Sequence, residues 1–264
     1  MKFKFLPPPP KPPGTLCPEK IRTESGRGIH FQGECPFDEF LAENGLWERS
    51  TNLKLHLGCG QKIFQNYINI DYPSHKHTVM KDIQADVYSN ILEIFCNPYS
   101  VSEIRLHHVF EHFNRVTALA QLFRWSQWLQ DGGKLIIETP DLEGMAKTFL
   151  KTRDHAVRMG IARGIAGDQS SDWGYHLEHW WPDRYVKTLS AMGYQIEAVA
   201  SERWEQKPFL SNVVVIAIKK SLMKPYELRD VLYTILRESM INETEQKTFE
   251  VWKVQLDNLL KIDL

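Results

Sequence analysis

The sequence predicts an α/β fold, a mostly parallel sheet with helices between its strands, closed by one antiparallel hairpin near the carboxyl end. Three observations carry this. Leu55-His56-Leu57-Gly58-Cys59-Gly60, followed by Tyr67-Ile68-Asn69-Ile70-Asp71, reads as an apolar strand, a tight glycine turn and a second apolar strand ending on a carboxylate. From Leu53 onward strand-like and helix-like stretches alternate, the pattern of a parallel sheet. Residues 194–200 and 212–219 then follow one another across a turn-rich link, and adjacent strands without a crossover pair antiparallel.

Strands are expected at residues 54–57, 67–71, 78–83, 103–107 and 134–138. Residues 115–130 carry Leu119, Leu122, Phe123, Ser126 and Leu129 on one face and form a helix expected to stop at Gly132-Gly133. Residues 183–192 form another helix, begun after Pro182 and ended at Gly193. After Lys220 two amphipathic stripes predict a helical hairpin: Leu228, Val231, Leu232, Ile235 and Leu236, then Phe249, Trp252, Leu256, Leu259 and Leu260. Asn242 and Glu245 have the spacing of a capping box between them. The hairpin either packs on the domain or makes a homodimer contact. The chain therefore divides into a proline-rich extension and cap (1–50), a central domain (51–220) and a helical extension (221–264).

Before residue 50, Pro7 to Pro13 predict a polyproline stretch, either a flexible lead-in or a docking tail. Phe37, Phe40, Leu41, Leu46 and Trp47 suggest a small helix capping the domain or the mouth of its site.

Bulk properties exclude several classes. A net charge of −1 over 264 residues gives no global attraction to nucleic acid or anionic membrane, and neither is expected as a partner. The longest purely apolar run, residues 213–218, is too short to span a bilayer, and the first residues run into prolines rather than a signal-peptide core, so a cytoplasmic location is expected. Cys17, Cys35, Cys59 and Cys96 lack C-x-x-C spacing, which indicates neither a disulfide frame nor a zinc knuckle.

The glycine turn points to a ligand. Gly58 and Gly60 can take positive φ and bare their backbone, while Asp71 at the next strand end can accept both hydroxyls of a ribose. A dinucleotide fingerprint needs a third glycine, where this chain has Ile63, and an acid about 20 residues on. Asp71 comes eleven residues after Gly60, and no phosphate loop of the G-x-x-x-x-G-K-[ST] kind occurs. A ligand with a ribose and no phosphate fits, and S-adenosylmethionine (SAM) leads.

Leu55–Gly60, Asn66–Asp71, His107-His108-Val109-Phe110-Glu111-His112-Phe113, residues 130–141 and the His176 to Pro182 segment together resemble class I SAM-dependent methyltransferases. The likeness is to the group reading L-x-L-G-C-G, N-I-D and H-V-L-E-H-F, with Asp131 where that group has proline. It covers roughly residues 54–219 and implies a Rossmann-like sheet. It further implies that Gly58, Cys59 and Gly60 pass along the methionine part of SAM, that Asp71 holds the ribose and that Tyr72 packs on adenine. Asp86, with Asp82 second, would take the adenine amino group after the third strand. His107 and its neighbours Leu106 and His108 would line the methyl.

His108, Glu111, His112 and His176 are the candidate catalytic residues. Some class I O-methyltransferases, small-RNA 2′-O and ubiquinone-type among them, place E-x-x-E-H here and bind a divalent metal. In this chain His108 stands where their first Glu does, and His176 or His179 would supply a late ligand. That substitution argues against Mg²⁺ and for Zn²⁺, Mn²⁺ or Fe²⁺. Without a metal, the histidines would act as general base for an alcohol or phenol. A plainer reading has Glu111 and His112 only capping a helix. His108-x-x-Glu111-His112 also matches a zinc-hydrolase pattern with Glu111 as base. Residues 141–182, with Trp173, Tyr175, Trp180 and Trp181, are expected as a loop forming an acceptor pocket, and Lys151, Arg153, Arg158 and Arg163 would bind an anionic acceptor or form a solvated face. The expected activity is methyl transfer from SAM to an oxygen, or secondarily a nitrogen, of a small molecule or glycan. The alternatives are a metal-dependent hydrolase and a catalytically silent scaffold.

Overall fold

The structure is a computed structural model that describes residues 28–204, 206–220 and 223–260. The proline tract and Cys17 lie outside the described residues.

One eight-stranded sheet organises the chain, in the order β1-β4-β3-β2-β5-β6-β8-β7. The strands are β1 (Ile29–His30), β2 (Leu53–Leu57), β3 (Ile68–Asp71), β4 (Val87–Tyr88), β5 (Val101–His107), β6 (Leu129–Pro140), β7 (Tyr194–Arg203) and β8 (Ser211–Lys219). All pairs from β1 to β6 are parallel, and β8 runs antiparallel to both β6 and β7. The expected layout, mostly parallel with a carboxyl-terminal antiparallel hairpin, is the observed one. From β2 the chain steps outward to β3 and β4, then returns to place β5 on the other side of β2. That reversal makes the carboxyl ends of β2 and β5 the crevice where open α/β sheets take ligands.

β2 puts Leu53, Leu55 and Leu57 on one face, all buried, while its other face carries Lys54 and the buried His56. No helix joins β2 to β3. Residues 58–67 form turns instead, and the sheet flank is roofed by side chains: Phe64 lies 4.7 Å from His56, and the Arg105 guanidinium lies 4.7 Å over Phe64 and 5.9 Å from Tyr67. Asn69 ties this roof down, its Oδ1 accepting from Phe64 N–H at 3.0 Å and lying 3.1 Å from His56 Nδ1.

Within the central sheet and α2, two expectations need correction. Residues 78–83 form no strand; Val79 is exposed and Asp82 takes φ +60°, which breaks an extended run. The third strand of the predicted series is Val87–Tyr88, both buried. The helix α2 (Arg115–Trp128) also ends before the glycine pair. Leu129 opposes Val101 and Lys134 opposes Glu103, so residues 130–133 bulge out of β6 with Gly132 at φ +71°. What stops α2 is Lys219, a buried residue whose Nζ donates to Ser126 O at 2.5 Å and Leu129 O at 2.7 Å. Asn114 caps the other end, accepting from Thr117 N–H at 2.9 Å.

Residues 141–182, expected as loop, contain helices α3 (Leu142–Lys151) and α4 (His155–Ala166), capped by Asp141 and Asp154. α5 (Pro182–Ala191) precedes β7 as expected. The helical hairpin is α6 (Pro225–Glu238) and α7 (Gln246–Leu260). Leu228, Leu232, Leu236, Phe249 and Leu256 are buried in the main core beside the α2 residues Val116 and Leu119. Arg124 of α2 donates to Leu259 O at 2.8 Å, satisfying a terminal carbonyl of α7. Among the described residues no helix is long and apolar enough to cross a membrane.

The amino-terminal part adds β1 to the sheet edge and α1 (Phe37–Glu43) beneath it. Asp38 accepts from the Asn97 backbone at 2.8 Å, near the amino end of β5, so α1 caps the domain away from the ligand crevice. Cys35 is disulfide-bonded, contrary to the expectation from spacing, while Cys59 and Cys96 are free thiols.

Candidate functional site

The turn after β2 is built as its glycines require. Gly58 and Gly60 take φ of +71° and +54°, and a Cβ on Gly58 would fall 2.3 Å from Val109 Cγ2. The amides of Gly58 and Cys59 both donate to Ile70 O, and Gly60 N–H donates to Asp71 Oδ2 at 2.5 Å. Turn and acid are thus one unit at the carboxyl end of β2 and β3. The Cys59 side chain turns inward beside Ile83, Ala85 and Tyr88, and burial pushes its thiol pKa up, so it stays protonated.

Asp71 is buried and well occupied. Its Oδ1 accepts from Tyr72 N–H at 2.6 Å and from His77 Nε2 at 3.0 Å. Tyr72 packs on Trp173, ring centroids 5.6 Å apart, and Trp173 also meets His77 edge-on at 5.5 Å. Asp86 is not where an adenine ligand is expected. It precedes β4 instead of following it, and its carboxylate accepts from Asn69 N–H at 2.8 Å and Asn69 Nδ2 at 2.9 Å. Asp82 lies exposed on the preceding loop. The residues that do follow β4 are Ser89, whose N–H donates to Asp71 O at 2.9 Å, and Asn90.

Across the switch point, the end of β5 supplies the histidines. His107 pairs in register with Glu138 of β6, its Nε2 3.2 Å from Glu138 Oε2. His108 takes φ +55°, which turns it out of the strand and aims Nδ1 at Glu111 Oε1, 3.1 Å away. Its Nε2 lies 2.9 Å from Asn212 Nδ2, which also donates to Glu138 Oε1 at 2.9 Å. Glu111 sits on a 3-10 turn, Phe110–His112, and is buried. His112 Nδ1 lies 3.0 Å from Tyr175 O, and His176 Nε2 lies 4.0 Å from Glu111 Oε1.

This arrangement corrects the zinc-hydrolase reading. No helix carries His108 and His112 on one face; a left-handed residue and a 3-10 turn send them to different clusters. Among the described residues, two clusters hold three metal-competent donors within 4.8 Å of one another: His107, His108 and Glu138, and Glu111, His112 and His176. In the first, the Asn212 amide already donates between His108 and Glu138, so its cationic role is filled. In the second, Glu111 Oε2 is buried without a hydrogen-bond partner among the described residues. His112 donates Nδ1–H to a carbonyl, which leaves its Nε2 lone pair free.

Charge follows the geometry. Burial opposes ionisation of Glu111, yet the His108 hydrogen bond and the nearby His112 and His176 hold its pKa below the usual value. Burial likewise opposes charge on Glu138, but hydrogen bonds from His107 and Asn212, with His108 close by, bring it down to about 2. Burial lowers His108 as well, and Glu111 more than offsets this, leaving it raised. His176 is lowered, chiefly by burial.

A cavity of about 210 Å³ opens on His108, Glu111, His112, His176 and Asn212, with Met145 and Leu210 among its apolar walls and Arg163 at its edge. Ser211 Oγ, also lining it, is buried without a hydrogen-bond partner among the described residues. The structure thus brings together His108, Glu111, His112 and His176, and separately Gly58, Gly60, Asp71 and Tyr72. His179 stays outside both clusters, and of the basic residues named for an anionic acceptor Arg163 reaches the cavity. Arg158 is spent on Thr152 O and the Phe149 ring. Trp180 is core, stacked on Tyr185 at 4.7 Å. Sequence reasoning missed His77, Glu138 and Asn212. Glu138 was findable, since it stands beside His107 once the two central strands are aligned.

No family model matches the chain, and no curated protein matches it in sequence. Among solved structures, a SAM-dependent methyltransferase from Methanosarcina mazei is similar over 68% of this chain and 97% of its own, at 15% identity and a TM-score of 0.41. One from Mesorhizobium loti shows the same coverage, identity and score. The carbon methyltransferase CurJ is similar over 69% of this chain and 52% of its own, at 16% identity and a TM-score of 0.37. Nothing about donor, acceptor or chemistry follows from similarities this distant.

Proposed function

We propose that this chain is a SAM-dependent methyltransferase acting on an oxygen, or secondarily a nitrogen, of a small molecule or glycan. One observation carries the reading. Asp71, a buried carboxylate at the switch point, is hydrogen-bonded to the Gly58–Gly60 turn and lies across β2 from a histidine-lined cavity at the end of β5. A strand-end acid joined to a bare glycine turn suits a nucleoside without phosphates. The orphaned Ser211 Oγ and Glu111 Oε2 beside the cavity suit a polar acceptor.

When bound, SAM would supply an activated methyl that passes in line to the acceptor as S-adenosylhomocysteine leaves, so the protein's task is placement and removal of the acceptor proton. Asp71 would hold the sugar hydroxyls, and the glycine turn would let the rest of the donor pass close to the backbone. His108 would take the acceptor proton on Nε2 once the acceptor hydroxyl displaces the Asn212 amide from that lone pair, while Glu111 accepts the Nδ1–H hydrogen bond and stabilises the charge that develops on the ring. The apolar wall of Met145 and Leu210 excludes water and holds the body of the acceptor.

A second reading rests on the other cluster. Glu111, His112 and His176 fit a divalent cation: one buried, partnerless carboxylate oxygen and two ring nitrogens, a donor set that favours zinc, manganese or iron over magnesium. A cation held there would lower the pKa of an acceptor hydroxyl.

Calorimetry with SAM and with S-adenosylhomocysteine tests the primary reading, and micromolar binding of both is expected. Absence of binding to either would remove it. Elemental analysis of protein purified without chelator tests the second reading, with about one equivalent of metal expected and loss of that metal in Glu111→Gln.

A further inference from the structure

The lone pairs of Asp71 do not all remain for a sugar. An ionised carboxylate offers about four acceptor positions, two on each oxygen. Gly60 N–H occupies one on Oδ2, and Tyr72 N–H and His77 Nε2 occupy both on Oδ1. A ribose diol needs two, one from each oxygen. The Gly60 and Tyr72 amides are backbone of the turn and of the strand end, and cannot leave without dismantling both. His77 is a side chain on a loop, and it is the group that can yield.

We infer that His77 is a gate on the donor site, occupying the sugar position of Asp71 and withdrawing, with its loop, when SAM binds. This rests on the donor reading above and adds the residue that controls access to it.

The loop around His77 is held like a latch. The His77 side chain is only 4% exposed, sandwiched between Asp71 and the Trp173 ring. Thr78 Oγ1 lies 3.2 Å from Ser170 Oγ, and Gln61 Nε2 donates to Lys81 O at 2.8 Å. Met80 Sδ rests over the turn, 3.4 Å from where a Gly60 Cβ would be. Residues 79–82 are otherwise exposed, so few buried apolar contacts resist opening. Besides the Gly58–Gln61 turn and Asp71, the contacts that do resist come from one segment, residues 167–176. Its Ser170 and Trp173 hold Thr78 and His77, while its Asp168 and His176 line the acceptor cavity. Admission of the donor therefore disturbs the acceptor wall, and reclosure over the donor rebuilds it. Donor binds first.

The test locks the latch. Thr78→Cys and Ser170→Cys together place two thiols where the hydroxyls meet, and mass spectrometry reports their disulfide. The parent protein passes through the same oxidation and reduction, because Cys35 is itself disulfide-bonded. Calorimetry with SAM should show at least 50-fold weaker binding by the crosslinked form than by the same sample after reduction. His77→Ala should bind SAM at least threefold more tightly than the parent and associate faster in stopped flow. Equal affinity of crosslinked and reduced forms, within twofold, would overturn the gate, as would weaker binding by a folded His77→Ala. If parent and reduced proteins alike fail to bind SAM, the donor reading itself falls and takes the gate with it.

Discussion

Asn212 presents its amide nitrogen to the Nε2 of His108 at 2.9 Å. The orientation of that amide is set from the other side. Glu138, held ionised, can only accept, so the group 2.9 Å from its Oε1 must be the NH₂ of Asn212. The second amide hydrogen then faces Nε2, which must be a lone pair, and the His108 proton sits on Nδ1 facing Glu111. Asn212 thereby favours the neutral Nδ1–H tautomer, while Glu111 pulls His108 toward the charged form.

The first prediction concerns this pair. Asn212→Leu removes a donor that opposes the charged imidazole, so the titration midpoint of His108 should rise. ¹⁵N NMR should show His108 in the Nδ1–H tautomer in the parent and more fully protonated in the variant at pH 7. The acidic limb of the pH–rate profile should move upward, with turnover at neutral pH down about 10-fold and SAM affinity unchanged within twofold. An unchanged tautomer and limb would dissolve the assignment.

Asp71→Asn keeps the shape of the site and removes its charge. Hydrogen bonds to a charged group contribute about 1.5–3 kcal/mol, so SAM affinity should fall about 10- to 100-fold. Calorimetry decides it, and an affinity within threefold of the parent would exclude Asp71 from the donor site.

Glu138 makes stability depend on acid. Its folded pKa of about 2 lies below the ordinary 4.5, so its contribution is complete above pH 4.5 and is lost as pH falls toward 2. A shift of this size corresponds to at most roughly 3 kcal/mol, less the screening its 22% exposed side chain experiences. Urea melts of parent and Glu138→Gln between pH 6 and pH 2.5 should converge on acidification. Parallel curves would assign the low pKa no part in stability.

Lys219 satisfies two carbonyls at the end of α2 from a buried position, that of Ser126 in the helix and that of the capping residue Leu129. Lys219→Met fills the volume and leaves both acceptors unpaired, at a cost of about 2 kcal/mol. The melting temperature should drop on the order of 5 °C, with SAM binding at 20 °C retained.

What the sequence made legible follows from locality. The alternation of strands and helices, the glycine turn and Asp71 are local patterns, and each lies where its pattern places it. The short β4 was misplaced because only two of its residues pair, too few for a period to show, and Asp86 was misread with it. The α2 stop was misread because Lys219, ninety residues away, does what Gly132-Gly133 seemed placed to do. His77 and Asn212 were invisible for the same reason. Their meaning lies in a partner reached only through folding, Asp71 for one and His108 with Glu138 for the other.

The missing helix between β2 and β3 leaves its mark on how the molecule breathes. A sheet flank covered by Phe64, Tyr67 and Arg105 shields far less apolar surface than a packed helix would, and Asn69 is the peg that fastens it. Thermal fraying starts at such thin places. Amide protons of Asn69 to Asp71 should exchange faster than those of Ile136 to Thr139, deep between β5 and β8. Each such excursion would scatter the Asp71 carboxylate at the end of β3, so a ligand bound in this groove should quiet the strand beside it.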